Sequence, residues 1–266
     1  MRQIVLPGNQ GGKETCVLDA RTSHYLVSVR RMRAGDTFDA MDETGTRFRC
    51  TLLSDEPRGA KVSLAAQAPS DSMARDVQAL HEEKWPHIAL VQALPKGQKF
   101  DLIIRQAVEL GVELIIPVIT QYCVGTEPPD RAASKLERRR RIIREALQQS
   151  GSLIKTDIVA AERLETLDAQ LNAKGFDKER AVRILFHEAE QEASKPLHAI
   201  LSTEKNRIVV AIGPEGGLSE DDCAAFTKMG FVLHHAAGPI LRVETAAIFA
   251  ISIVRTLSIE RAIWKA

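Results

Sequence analysis

Five short, continuous apolar runs constrain the fold of this chain more than any other feature. From His87 onward they read "HIALVQAL", "ELIIPVIT", "AVRILFHE", "RIVVAIG" and "FVLHHAA". Strands exposed on one face alternate apolar and polar residues, whereas unbroken runs of this length belong to strands covered on both faces, as in parallel sheets. Helical patterns lie between the runs. "QKFDLIIRQAVELG" places Phe100, Ile103, Ile104, Ala107 and Leu110 at helical spacing and ends on Gly111, a residue suited to a left-handed cap. "SEDDCAAFTKMG" opens with Ser219, has Asp222 three residues later, and stops at Gly230, an approximate capping box. The last helix is expected to bury Ala246, Phe249, Ala250, Ile253, Val254 and Leu257. Alternating strands and helices predict an α/β domain built on a largely parallel sheet.

The texture before residue 66 differs. "TFDAMDETGTRFRCTLL" sets Phe38, Ala40 and Met41 before a "DETG" turn and Phe48, Cys50 and Leu52 after it, the pattern of a β-hairpin. "AKVSLAA" adds a further strand. A small all-β barrel or sandwich of five or six strands is expected there. The polar, turn-rich stretch between about Ala66 and Glu83 marks the boundary, giving domains at 1–72 and 87–266 joined by a linker at 73–86.

Composition narrows the function. Lys and Arg number 36 against 35 Asp and Glu, so any polyanion site must come from local clustering. The four cysteines are scattered without a C-x-x-C pair, which argues against a zinc site or a disulfide framework and for a reducing, cytoplasmic setting. "MRQIVLPGNQGGKE" breaks too early for a signal peptide, and the most apolar stretch, Ala246 to Leu257, contains Ser252 and Arg255; no membrane segment is expected. His234 and His235 are adjacent and point to opposite faces of a strand, so no metal is expected either.

Chemistry concentrates in two segments. "IGPEGGLS" follows a strand and precedes a capped helix, the position where open α/β sheets bind ligands. It lacks the P-loop and G-x-G-x-x-G patterns, and Glu215 opposes the positive field that would attract phosphate. A ligand with amine or cationic character fits better than a nucleoside triphosphate. Downstream, "AAGPILRVETAAIFA" carries Arg242 and Glu244, either an ion pair at a helix start or part of a small-molecule pocket. Local positive charge is found in "VRRMR" (Arg30, Arg31, Arg33) and in the run from Arg131 to Arg144, which includes Arg139, Arg140 and Arg144. Such runs are either solvated faces or phosphate contacts.

Taken together, "IGPEGGLS", "ILRVETA", "KGQKFDLIIRQAVELGVELIIPVIT" and "VRRMRAGDTFDAMDETGTRFRCTL" resemble, in order and over nearly the whole chain, the RsmE family of 16S ribosomal RNA uridine-N3 methyltransferases in the SPOUT superfamily. The resemblance implies an α/β SPOUT domain with a C-terminal trefoil knot, an N-terminal PUA-like β-barrel that helps grip RNA, S-adenosylmethionine (SAM) held in the knot, and a homodimer acting on 16S rRNA or the small ribosomal subunit. It places cofactor contacts at Phe186, His187, Glu188, Gly213, Pro214, Glu215, Gly216, Gly217, Leu218, Ala237, Gly238, Ile240, Leu241 and Arg242. Arg242 becomes the candidate for stabilising charge on the uracil, and Glu215 a second catalytic candidate or a brace. Lys96 and Arg105 join the RNA-binding set. The family pattern has basic residues where this chain has Gln106 and Pro239, and it departs again at Ser152. These departures keep two alternatives open: a diverged SAM- and RNA-binding protein, and a methyltransferase for a different RNA.

Overall fold

The computed structural model describes residues 4–67, 85–124, 129–152, 154–188, 194–201 and 204–264 of the 266. The chain divides into two compact units, residues 1–78 with 147–155, and residues 79–146 with 156–266. Most of the expected linker at 73–86 lies outside the described residues.

The first unit is one five-stranded sheet. Its strands are β1 (Ile4–Leu6), β2 (Thr15–Val17), β3 (Thr37–Asp42), β4 (Arg47–Leu52) and β5 (Lys61–Ala66), in spatial order β1-β3-β4-β5-β2. Only the β1–β3 pair is parallel. The β3–β4 hairpin forms at the anticipated "DETG" turn because Asp42 organises it. Its Oδ1 accepts from the Thr44 and Thr46 amides, each at 2.9 Å, and from Thr44 Oγ1, while Oδ2 accepts from the Gln10 amide at 2.8 Å. Phe38, Ala40, Phe48, Cys50 and Leu52 face the core beneath. The all-β expectation needs correction: α1 (Ala20–His24) and a π turn at Tyr25–Val29 lie between β2 and β3. Asp19 caps α1 by accepting from the Thr22 amide, and Leu26 and Val27 join the core. Here an N-cap and two apolar residues outweigh the β-branched, strand-like composition of "YLVSV".

The second unit carries a seven-stranded sheet in which every pairing is parallel. Its elements are β6 (His87–Ala93), α2 (Lys99–Glu109), β7 (Leu114–Ile119), α3 (Pro129–Ser150), β8 (Asp157–Ile158), β9 (Glu162–Arg163), α4 (Leu167–Ala173), β10 (Ala181–His187), α5 (Leu197–Ile200), β11 (Arg207–Ile212), α6 (Glu220–Lys228), β12 (Val232–His235) and α7 (Val243–Trp264). The order is β12-β10-β11-β6-β7-β8, with β9 pairing β7 off this path. All five apolar runs are strands, and both faces are covered as their continuity demanded. Ala89, Val91, Leu185, Val209 and Ala211 pack with Leu167 and Leu171 of α4 and Phe226 of α6. Their neighbours along the strands, such as Ile88, Leu90, Ile208 and Val210, are equally buried, on the face where α7 lies against β6, β11 and α2.

Two features depart from the sequence reading. Arg183, in the middle of β10, is only 2% exposed. It replaces an apolar core residue by donating to Asp168 Oδ1 (2.6 Å), Asn172 Oδ1 (3.0 Å), and the Phe176 and Met229 carbonyls, so its charge is paired and its donors are used. The α7 helix is also rotated from the expected face. Val243, Ala247, Ala250, Ile251 and Val254 are buried, whereas Phe249 is 39% exposed. Small Ala247 and Ala250 allow the helix to approach the sheet closely, and the bulkier row with Phe249 turns toward the sheet's end.

Candidate active site

Parallel register brings three chain segments to one place. Phe186 of β10 pairs with Ile212 of β11 and His234 of β12, so the loops leaving these strands emerge side by side at the carboxyl edge. They enclose a cleft that opens to solvent. Phe186, His187 and Glu188 line it from β10, and Gly213, Pro214, Glu215, Gly217 and Leu218 from the loop after β11. Gly238, Ile240 and Leu241 close it from the loop before α7. These eleven residues were expected together. Ile212, Ala236, Pro239, Val243, Ala246 and Phe249 complete the lining.

Three expected residues, Gly216, Ala237 and Arg242, do not line the cleft. Gly216 packs instead on the segment after β7: a side chain there would stand 3.1 Å from Tyr122 Cβ. Gly217 has φ +74°, a conformation that favours glycine, and Glu188 Oε1 stands 2.8 Å from where a Cβ would lie. Arg242 is exposed immediately before α7, and the alternative that it pairs with Glu244 is replaced by a different cation.

That cation is Lys99. Its Nζ lies 2.8 Å from Glu215 Oε1 and 3.8 Å from Glu244 Oε2, joining the two motif segments through the start of α2. The Lys96 amide adds donation to both Glu215 carboxylate oxygens at 3.1 and 3.2 Å. Burial alone pushes the Glu215 carboxyl up, but the Lys99 ammonium together with backbone N–H donors outweighs it and holds the group below its ordinary value. The hydrogen bond to Glu215 in turn raises Lys99, against partial desolvation and the nearby positive charge of Arg242. Sequence reading missed Lys99, although a signal existed: lysine as the first residue of a helix opposes the helix dipole and calls for an acidic partner.

The loop after β11 is locked at its far end by the capping box. Ser219 Oγ accepts from the Asp222 amide at 3.0 Å, and Asp222 Oδ2 accepts from the Ser219 amide at 3.1 Å. His234 is used structurally, with its ring edge-on to Phe186 at 5.1 Å between centroids and Nδ1 on the Lys195 carbonyl at 3.0 Å. Among the described residues no group of three or more His, Cys, Asp or Glu is placed to hold a metal ion.

The expected RNA-binding residues fall into separate sets. In the first unit Arg30, Arg31 and Arg33 are exposed, Arg31 with φ +56° and Arg33 paired with Asp55 at 3.3 Å. In the second unit Lys96, Arg105 and Arg140 are exposed and Arg144 is half-buried. Arg140 pairs with Glu137 at 2.6 Å. Arg139 is not on a solvated face: it is 7% exposed and stacks over Phe100 at 4.8 Å.

Comparison with known proteins agrees with this geometry. Residues 18–64 match the RNA methyltransferase PUA domain. "Ribosomal RNA small subunit methyltransferase E 2" of Borreliella burgdorferi is 28% identical over 97% of this chain and 98% of its own. The Bacillus subtilis "Ribosomal RNA small subunit methyltransferase E" is 26% identical over 87% and 86%. Among solved structures, a ribosomal RNA small subunit methyltransferase E from Neisseria gonorrhoeae bound to S-adenosyl methionine superposes with TM-score 0.75 at 26% identity, covering 97% of this chain and 98% of that one. A Legionella pneumophila protein solved with bound SAM shares the fold, with TM-score 0.73 at 22% identity over 96% and 97%. Residues 82–255, more than half the chain, match the RNA methyltransferase domain, and the chain belongs to that family.

Proposed function

We propose that this protein transfers a methyl group from SAM to N3 of a uridine in 16S ribosomal RNA. The observation that carries the reading is the meeting of the "GPEGG" and "ILRVETA" segments at one cleft, with Lys99 hydrogen-bonded to Glu215 and 3.8 Å from Glu244.

The residues present fit SAM. Phe186, Leu218, Ile240, Leu241 and Phe249 offer apolar walls for an adenine, while Glu188 and Glu215 supply carboxylates suited to an amine and a sulfonium. Among the described residues no lysine or arginine lines the cleft, which disfavours a phosphate ligand. Glycine backbone at 213 and 217 lets main-chain groups approach the ligand. When bound, SAM supplies an electrophilic methyl group on a sulfonium.

The protein's part is to hold the acceptor nitrogen in line with that methyl group. Arg242, exposed beside the cleft and close enough to Lys99 to repel it, stabilises negative charge developing on the uracil oxygens. Glu215 is better placed as a brace than as the acceptor of the N3 proton, because an ion-paired carboxylate held below its ordinary pKa is a weak base; the N3 proton leaves to solvent water as the N–CH3 bond forms and the sulfonium C–S bond breaks. The finer expectations stand with this reading: a trefoil knot through the loops at 186–188, 213–218 and 236–242, a PUA-like barrel, chain-order domains at 1–72 and 87–266, a homodimer, and a cytoplasmic setting. Among the described residues no helix is long and apolar enough to cross a membrane.

The test is to incubate the protein with labelled SAM and small subunits from cells lacking the modification, then to search the rRNA by mass spectrometry. The expected product is 3-methyluridine, with Arg242→Ala losing turnover far more than SAM affinity. SAM binding without any methylated uridine overturns the catalytic reading in favour of a diverged binding protein.

A further inference from the structure

Three loops at the carboxyl edge of the second unit's sheet meet at two consecutive residues of the "GPEGG" segment. The loop after β6 donates its Lys96 amide to the Glu215 carboxylate at 3.1 and 3.2 Å. The turn after β7 packs on Gly216, with Tyr122 Cβ 3.1 Å from where a Gly216 side chain would begin. Because β6 and β7 are also neighbours in the sheet, Lys96 and Tyr122 flank the same short stretch of a loop whose Glu215 and Gly217 line the cleft. Tyr122 is 47% exposed, yet the turn that carries it is fixed. The Gln121 amide donates to the Asp222 carboxylate at 3.3 and 3.4 Å, and the Cys123 amide donates to the Thr120 carbonyl at 3.1 Å. A half-exposed ring on an ordered turn adds little to a core, and it offers a face on which a nucleic-acid base can stack without first ordering the backbone. The charges on either side differ. Lys96 is exposed, and among the described residues its ammonium has no partner. On the other side α6 opens with Glu220, Asp221 and Asp222, so a phosphate is favoured at Lys96 and disfavoured toward α6.

We propose that Tyr122 is a stacking platform for a base that flanks the methylated uridine, with Lys96 taking the phosphate beside it. Single-stranded RNA is then seated across the outer flank of the "GPEGG" loop while the target base enters the cleft on its inner side. The inference rests on the RNA methyltransferase reading and adds to it the place of the flanking nucleotide. An unpaired strand is the occupant, because stacking on a side chain needs a base whose face is free of the helix stack. Tyr122 is a positioning residue: it fixes where the strand lies and touches neither SAM nor the reacting atoms.

The experiment measures binding of a short single-stranded RNA, one uridine between adenosines, to the full chain across a salt series, alongside SAM affinity. Y122A is expected to weaken RNA binding by about fivefold or more, the loss of one stacked base, and to leave the slope of log K against log salt unchanged. Y122F, which keeps the ring, stays within about twofold of wild type. K96Q does the converse of Y122A and lowers the slope by about 0.7, the loss of one single-strand phosphate contact. SAM affinity holds in all three, because Y122A keeps its Cβ against Gly216 and K96Q keeps its amide on Glu215; this also verifies folding. RNA binding unchanged in Y122A, a loss in Y122F equal to that in Y122A, or an unchanged slope in K96Q would each overturn the platform. So would a fall in SAM affinity in Y122A that matches its loss of RNA, which would make the turn merely structural. Ring-dependent RNA binding without 3-methyluridine formation sinks the catalytic reading and leaves the platform standing. Methylation with an unchanged rRNA KM in Y122A does the reverse, and a wild-type chain that fails to bind the RNA overturns both.

Discussion

Lys99 shows how one side chain decides what a motif can do. Without it, the Glu215 carboxylate would keep only backbone N–H donors against the cost of its burial. With it, the Glu215 carboxyl lies below the ordinary glutamate range and Lys99 above the ordinary lysine range. A depressed carboxylate contributes stability above its unfolded pKa and loses it only as pH falls through the folded value. A raised ammonium keeps its contribution until pH climbs past the usual lysine value. The pair is therefore intact across neutral pH, and its contribution to SAM affinity should be lost only in acid, as pH falls below the ordinary glutamate range. Lys99→Met should weaken SAM severalfold, because Glu215 loses its charged hydrogen-bond donor, and should move the acid limb to higher pH. Calorimetric titration across pH reads both, and an unshifted acid limb would remove Lys99 from the site. Gly217 was legible as part of a glycine loop. That its missing Cβ makes room for Glu188 was not, because 29 residues separate them in the chain and only β10–β11 pairing brings them together.

Elements with local causes could be read directly. The β3–β4 hairpin, the Ser219 capping box and the Gly111 stop after α2 each depend on residues within a few positions of one another. The hairpin depends most on Asp42, which is buried and accepts four hydrogen bonds. Burial pushes this carboxyl up, but the Thr44 hydroxyl and the backbone amides of Gln10, Thr46 and Thr44 bring it below its ordinary value. Asp42→Ala should cost about 1–3 kcal/mol, since it leaves the buried Gln10 amide without an acceptor, and urea unfolding of the full chain measures it. The wild-type advantage should shrink as pH falls through the folded-state pKa of Asp42, which lies below the ordinary aspartate value. The face of α7 was not legible. Its sequence is apolar nearly all round, so periodicity alone leaves its rotation undetermined, and contacts with α2, β6 and β11 select it.

For the whole molecule, the rotation of α7 leaves Phe249 exposed and Ile253 and Leu257 half-buried on one side of the helix. This supports the proposed homodimer, in which a second copy would cover that row. Sedimentation at micromolar concentration should give twice the chain mass of 29.3 kDa, and Ile253→Glu should return the single-chain mass with helical circular dichroism retained. A wild-type chain that sediments at the single mass refutes the dimer. By itself the sequence determined the sheet class, the hairpin, the helix caps and the motif loops that carry the family likeness, because those depend on short-range pattern and backbone chemistry. Packing in three dimensions settles that Lys99 holds Glu215 beside Glu244, that Arg183 occupies the core, that Arg139 leaves the solvated run to stack on Phe100, and that Arg242 stands outside the cleft lining. Each of these depends on strand order and helix rotation, which bring distant residues within a few ångströms and which no local stretch encodes.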